Sequence, residues 1–295
     1  RAEVEALSPR NFRAFWEPLM RQGPVEVQIF GDVASVDLEG MLLNTFGAMP
    51  RRPAVRAVAA DVRPTLASAN PIVVRHNGGA TQAAMVLAYP TGGGVAGMQT
   101  ARHLEILAEI FNDRLFERLR DQAGASYSQA VSSTWPKDFA HGGYLFVGGL
   151  VRPEDSDLMA RSARDIAAEL ARAPVTADEL QRATGPAGER IMRASSGNVF
   201  WMYEMEGATR DPRRLDALRH YLTDLTTVTP AQIQALARQY LVPARAVPVL
   251  ILPQSAAVPT LSLGGSAGAN PTAAFANPTI VNSNANPANS AVINR

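Results

Sequence analysis

The chain has 295 residues, a hydrophobic fraction of 46%, a charged fraction of 19% and a formal net charge of +1. That length suits one large or two small globular domains, and the near-neutral balance gives no electrostatic pull toward nucleic acid or an anionic membrane. Cysteine is absent, which removes disulfides, thiolate nucleophiles and cysteine–zinc sites together. No apolar run approaches the ~20 residues that span a bilayer.

Arg1 to Ser8 is charged rather than apolar and runs into a helical pattern without a methionine, which reads as a fragment, a processed chain or a subunit cut from something longer. Ser8 caps a predicted helix over residues 8–22, with Pro9 at its first position. Residues 25–31 alternate as a strand, Gly31-Asp32-Val33 turns the chain, and a second helix runs from Ser35 to Phe46. Pro50, Pro53 and Pro64, with Arg51, Arg52 and Arg56, mark a linker over 51–65 that separates residues 1–50 from a larger domain over 66–254.

In that domain, Ile72 to His76 and Thr81 to Tyr89 read as strands. The 98–122 helix has an apolar stripe of Leu104, Leu107, Ala108, Phe111 and Leu115, and a charged one of Arg102, Glu105, Glu109, Asp113 and Glu117. Ser126–Ser133 and Gly143–Val151 are two further predicted strands. Helices follow at 153–172, after a Thr176-x-x-Glu179 capping box, at 197–206, at 212–222, and from Thr229-Pro230-Ala231-Gln232. Val247–Leu252 closes with a strand. Strand pairs followed by blocks of helices predict an α+β fold, an antiparallel sheet with helices packed on one face. Residues 255–295 are rich in Ala, Asn, Ser, Pro and Gly, with the triplet Ala-Asn-Pro at 269–271, 276–278 and 285–287. They read as a disordered tail.

A hydrolytic zinc site needs two histidines one helical turn apart and a carboxylate base. His76, His103, His141 and His220 are scattered, and His103 with Glu105 lies on different helix faces, so no metal ligand is assigned to this chain. The nucleophile elbow G-x-S-x-G is absent. Gly92-Gly93-Gly94 before a helix has the form of an anion cradle but lacks the lysine of a phosphate loop, and a plain loop is the better reading.

The segment 115–128, LFERLRDQAGASYS, stands out. Gly124 is placed to end the long helix, so Arg120 and Tyr127 can converge at a helix–strand corner. Guanidinium and phenol donors together suit a row of backbone carbonyls or a carbonyl gaining negative charge. The alternative is an Arg120 ion pair with Glu117 or Asp113 and a Tyr127 packed at a sheet edge.

Leu119, Arg120, Gly124 and Tyr127 form an L-R-x-x-x-G-x-x-Y pattern that resembles the Arg/Tyr motif in the C-terminal half of pitrilysin and insulinase-type zinc peptidases. The passage through Gly31-Asp32-Val33, Phe46-Gly47 and Pro50 looks like the end of one of that family's repeated domains. The resemblance, over residues 8–254, implies a C-terminal part of a zinc metalloendopeptidase. It would bind extended peptide or a small protein and complete an active site opposite a zinc-bearing half or partner subunit. Arg120 would hold substrate carbonyls, Tyr127 would bind the scissile carbonyl, and the zinc would sit in the other half. A non-catalytic structural or peptide-binding homologue is the alternative. The compartment leans, on the resemblance alone, to a bacterial periplasm or cell envelope.

Overall fold

The computed structural model describes residues 2–53, 71–123 and 128–262. Most of the predicted linker, residues 124–127 and the tail from 263 onward lie outside the described residues. Fifteen regular elements are described. The first are α1 (Ala2–Glu5), α2 (Pro9–Met20), α3 (Leu38–Asn44), β1 (Ile72–His76) and β2 (Ala83–Pro90). Then come α4 (Met98–Ala123), β3 (Ser128–Thr134), β4 (Tyr144–Val151), α5 (Ser156–Arg172) and α6 (Ala177–Ala194). The last are α7 (Asn198–Glu204), α8 (Arg213–Arg219), α9 (Tyr221–Thr226), α10 (Pro230–Tyr240) and β5 (Val247–Pro253).

The strands form one sheet in the order β1-β5-β2-β4-β3. It is antiparallel except at one edge, where β1 runs parallel to β5 with Val74 beside Ile251. In β2 the residues Ala83, Met85, Leu87 and Tyr89 are buried and their neighbours are not, the period-two signature of a sheet covered on one side. The cover is α4 and α5, with α10 packed on both. The predicted apolar stripe of α4 lies wholly inside this core. The α+β architecture with helices on one face is therefore the one the sequence predicts, with the parallel β1–β5 pair added.

Local capping fixes the helix starts. Thr176 with Glu179 and Thr229 with Gln232 each form a reciprocal capping box, and Ser8 accepts from the amide of Asn11 at the start of α2. Three predicted elements differ. The 212–222 helix is two short helices, α8 and α9, broken at His220. The second helix starts at Leu38 behind an Asp37 cap rather than at Ser35. Residues 25–31 form no strand, and no main-chain ladder bond joins them to another segment among the described residues. The chain past 254 continues over the core. Ala256 and Leu261 pack against it, the Ser262 amide donates to Asp157 at 2.6 Å, and Arg164 donates to the Ser262 carbonyl.

Candidate functional site

The second half of α4 presents three arginines with different fates. Arg114 and Arg118, four residues apart, share a face and are tied to neighbouring helices. Arg114 Nε donates to Glu179 at 2.8 Å, and Arg118 makes a fork of 2.8 and 2.9 Å to both carboxylate oxygens of Glu169. Burial raises the Glu179 carboxyl, but hydrogen bonds from Arg114 and Thr176 outweigh it and hold its pKa at about 2. Arg120 is turned away from both. Its side chain is 65% exposed, lies 3.6 Å from Asp121 and sits over the Phe116 ring at 5.8 Å. The partner is its sequence neighbour, not Glu117 or Asp113. Such an exposed pair contributes ~0–1 kcal/mol, so the guanidinium remains available to an outside acceptor.

Leu119 beside it is buried and anchors this end of the helix to the core. Tyr127, the second candidate, and Gly124 lie outside the described residues, and the chain resumes at Ser128 as edge strand β3. Arg120 lies in the last turn of α4, and β3 begins at Ser128.

Among the described residues no helix covers the sheet face away from α4 and α5. Val74, Ile251, Leu150 and Tyr144 are exposed there, Leu150 at 63%, and Val86 and Phe146 are half-buried between them. A bare apolar sheet face is not a surface that water favours, and it marks a contact or a cavity wall.

The remaining sequence candidates resolve clearly. The Gly92-Gly93-Gly94 run is a packing device and not an anion cradle. Gly92 and Gly97 lie against the Trp135 ring, where a Cβ would collide, and Trp135 Nε1 donates to the Gly94 carbonyl at 2.9 Å. The Gly94 amide donates to Pro136 and the Gly92 carbonyl accepts from Gly143, both at 2.8 Å. Among the described residues no group of three His, Cys, Asp or Glu side chains is placed to hold a metal, so this donor set does not fit a zinc ion. His103 is buried, and burial lowers its pKa.

Sequence reasoning missed a buried charge cluster. Arg102, read as part of the charged stripe of α4, is 1% exposed. Its guanidinium donates to Asp224 at 2.5 Å and lies 4.2 Å from the Tyr221 ring centroid. Gln99 donates to the other Asp224 oxygen. Nearby, Lys137 pairs with Glu204 at 2.8 Å, and Arg214 pairs with Asp138 and donates to the Glu206 carbonyl. Burial pushes the Glu105 carboxyl up to about 7, with Arg102 and Arg190 pulling against it. The ion pairs Arg102–Asp224, Arg214–Asp138 and Lys137–Glu204 are 122, 76 and 67 residues apart, so no local pattern signals them. Arg102, Lys137, Glu204 and Arg214 line a cavity of about 10 Å³, room for one water, which fits them to a structural role.

The chain belongs to the family of the M16 peptidase inactive domain, which it matches over residues 6–184, more than half its length. M16 is the pitrilysin family of zinc peptidases. Among solved structures the chain is similar to a conserved protein from Enterococcus faecalis, with a TM-score of 0.68 and 14% identity over 87% of this chain and 58% of that one. It is similar to the ferredoxin protease FusC in complex with Arabidopsis ferredoxin (TM-score 0.67, 18% identity, 86% of this chain, 28% of that one). It is also similar to the periplasmic protease PqqL from Escherichia coli (TM-score 0.57, 15% identity, 76% of this chain, 25% of that one). At these identities the likeness shows the fold, and the chain spans less than two thirds of each relative. Curated proteins give no match.

Proposed function

We propose that this chain is the half of an M16-type endopeptidase that holds substrate opposite a zinc-bearing half. In this reading the bare sheet face walls a chamber shared with that half, and Arg120 and Tyr127 act on an extended peptide inside it. The observation that supports this best is Arg120. Of the three arginines in the second half of α4, it alone has no partner on another element among the described residues. An extended peptide brings carbonyls that need donors, and five guanidinium N–H groups supply them. Tyr127 is assigned the carbonyl that becomes an oxyanion. The zinc and its chemistry belong to the other half, and no step runs through this chain's own carboxylates. The periplasmic setting of PqqL supports a bacterial cell envelope as the compartment.

A peptide-binding role without cleavage is the second reading. It is favoured by β3, whose outer edge is unpaired among the described residues and open to strand addition. Tyr127→Phe separates the two. In the enzyme assembled with its zinc-bearing half, loss of an oxyanion donor should lower kcat by ~10²–10³ while leaving peptide affinity unchanged. Unchanged turnover would remove Tyr127 from the chemistry.

A further inference from the structure

His76 is half-buried at the end of β1, and both nitrogens of its ring are engaged. Nε2 lies 2.9 Å from the Gln82 carbonyl oxygen, which can only accept, so Nε2 carries the ring proton. Nδ1 is then a bare lone pair, and it accepts from the Gly78 amide at 2.9 Å. The Gln82 carbonyl thus sets the tautomer and the orientation of the imidazole, as a second partner does for a general base. The proton that this base faces belongs to the main chain.

The residue on the other side of that amide is Asn77, and Asn77-Gly78 is the one Asn-Gly step in the sequence. Turn geometry does not account for it. β5 separates β1 from β2 in the sheet, so residues 77–82 close no hairpin, and Gly78 is not among the glycines with positive φ. What the glycine gives is clearance, since a Cβ there would stand 2.9 Å from His76 Nδ1. Asn77 and Gly78 are exposed, and the Asn77 carboxamide makes no hydrogen bond among the described residues. It is free to turn its Cγ toward the Gly78 nitrogen, and a bond between the two closes a five-membered ring.

We propose that Asn77 is a self-modification site, at which His76 is the general base for deamidation through a succinimide. His76 Nδ1 takes the Gly78 amide proton while that nitrogen's electron pair forms the bond to Asn77 Cγ. The Cγ–Nδ2 bond then breaks, and the leaving nitrogen recovers the proton from Nδ1 and departs as ammonia. Water, the co-reactant, opens the ring at either carbonyl. One opening leaves an aspartate in the ordinary chain, and the other an isoaspartate, whose main chain runs through the former side-chain carbonyl. Either product puts a carboxylate next to His76 at the end of the edge strand β1, where the His76 carbonyl accepts from the Gln254 amide at 3.1 Å. The inference is independent of the roles given to Arg120 and Tyr127.

The test is to hold the 295-residue chain at neutral pH in ammonium-free buffer made with heavy-oxygen water. The peptide carrying residues 72–82 is followed by mass spectrometry, with isoaspartate resolved from aspartate. The folded chain should convert Asn77 to both acids, each taking up heavy oxygen, at least about tenfold faster than the same chain unfolded in guanidinium, which keeps the Asn-Gly step and loses the placed imidazole. Folded His76→Phe, its fold checked by a thermal melt, should fall to the rate of the unfolded chain. Equal rates in the folded and unfolded chains would overturn the proposal. So would an Asn77 that outlasts its unfolded counterpart, because the fold would then protect the amide, or a His76→Phe variant that deamidates as fast as the parent. Where His76→Phe does not fold, the folded and unfolded rates of the parent chain decide alone.

Discussion

Arg102 and Arg120 lie at opposite ends of α4, and 3.6 residues per turn brings them back to the same angular face. One is 1% exposed and the other 65%. The difference lies in what covers the face. At the first end α9 lays Asp224 and Tyr221 over the guanidinium. At the second end no other element among the described residues covers it. The same residue type on the same helix therefore serves the fold at one end and stands open at the other. A charged stripe read from a sequence says nothing about which.

This comparison can be broken at several points. The largest effect is expected from Arg102→Ala, which leaves Asp224 buried without its counter-charge and should destabilise the fold by about 3–5 kcal/mol in denaturant unfolding. A loss below about 1 kcal/mol would mean that Asp224 is solvated and the two ends are alike. Glu105, between the ends, should give a smaller and pH-dependent effect. Burial raises its pKa in the folded state from the ordinary 4.5 to about 7. The unfolded chain ionises first, so stability falls as pH rises from about 4.5 to 7. Glu105→Gln should be neutral near pH 4 and stabilising by roughly 1–3 kcal/mol at pH 8. A stabilisation equal at both pH values would contradict the burial. The smallest effect belongs to Glu26. The Thr209 hydroxyl, the Thr209 and Gly207 amides and Gln28 hold its pKa at about 2, below the ordinary 4.5. Its contribution is therefore complete above pH 4.5 and lost as pH falls toward 2. Glu26→Ala should speed exchange at residues 205–209 at neutral pH with little change in the global melt.

What was legible in the sequence was local or periodic. The capping boxes at Thr176 and Thr229 and the apolar stripe of α4 depend on residues three or four apart, and the structure has them where the pattern puts them. Long-range facts were not legible. The parallel β1–β5 pairing joins Val74 to Ile251, and the burial of Arg102 depends on Asp224. The alternation of 25–31 reads as a strand, but the structure has none there and leaves Val25, Val27 and Ile29 exposed, because a ladder needs a partner strand that the pattern cannot supply. Gly92 and Gly97 look like freedom in a loop and are instead clearance for Trp135. For the candidate site, the motif leads to the α4–β3 corner and the structure places Arg120 there, exposed. Tyr127 rests on the motif alone.

The central claim is that Arg120 is an outward, substrate-side residue. Steady-state kinetics and thermal melts of Arg120→Ala, in the enzyme assembled with its zinc-bearing half, test it together. The account predicts a KM raised about tenfold, as loss of a charge-assisted hydrogen bond of ~1.5–3 kcal/mol would give, with kcat and the melting temperature nearly unchanged. An unchanged KM, or a fall in melting temperature matched by the loss of activity, would contradict it and return Arg120 to the surface of the fold.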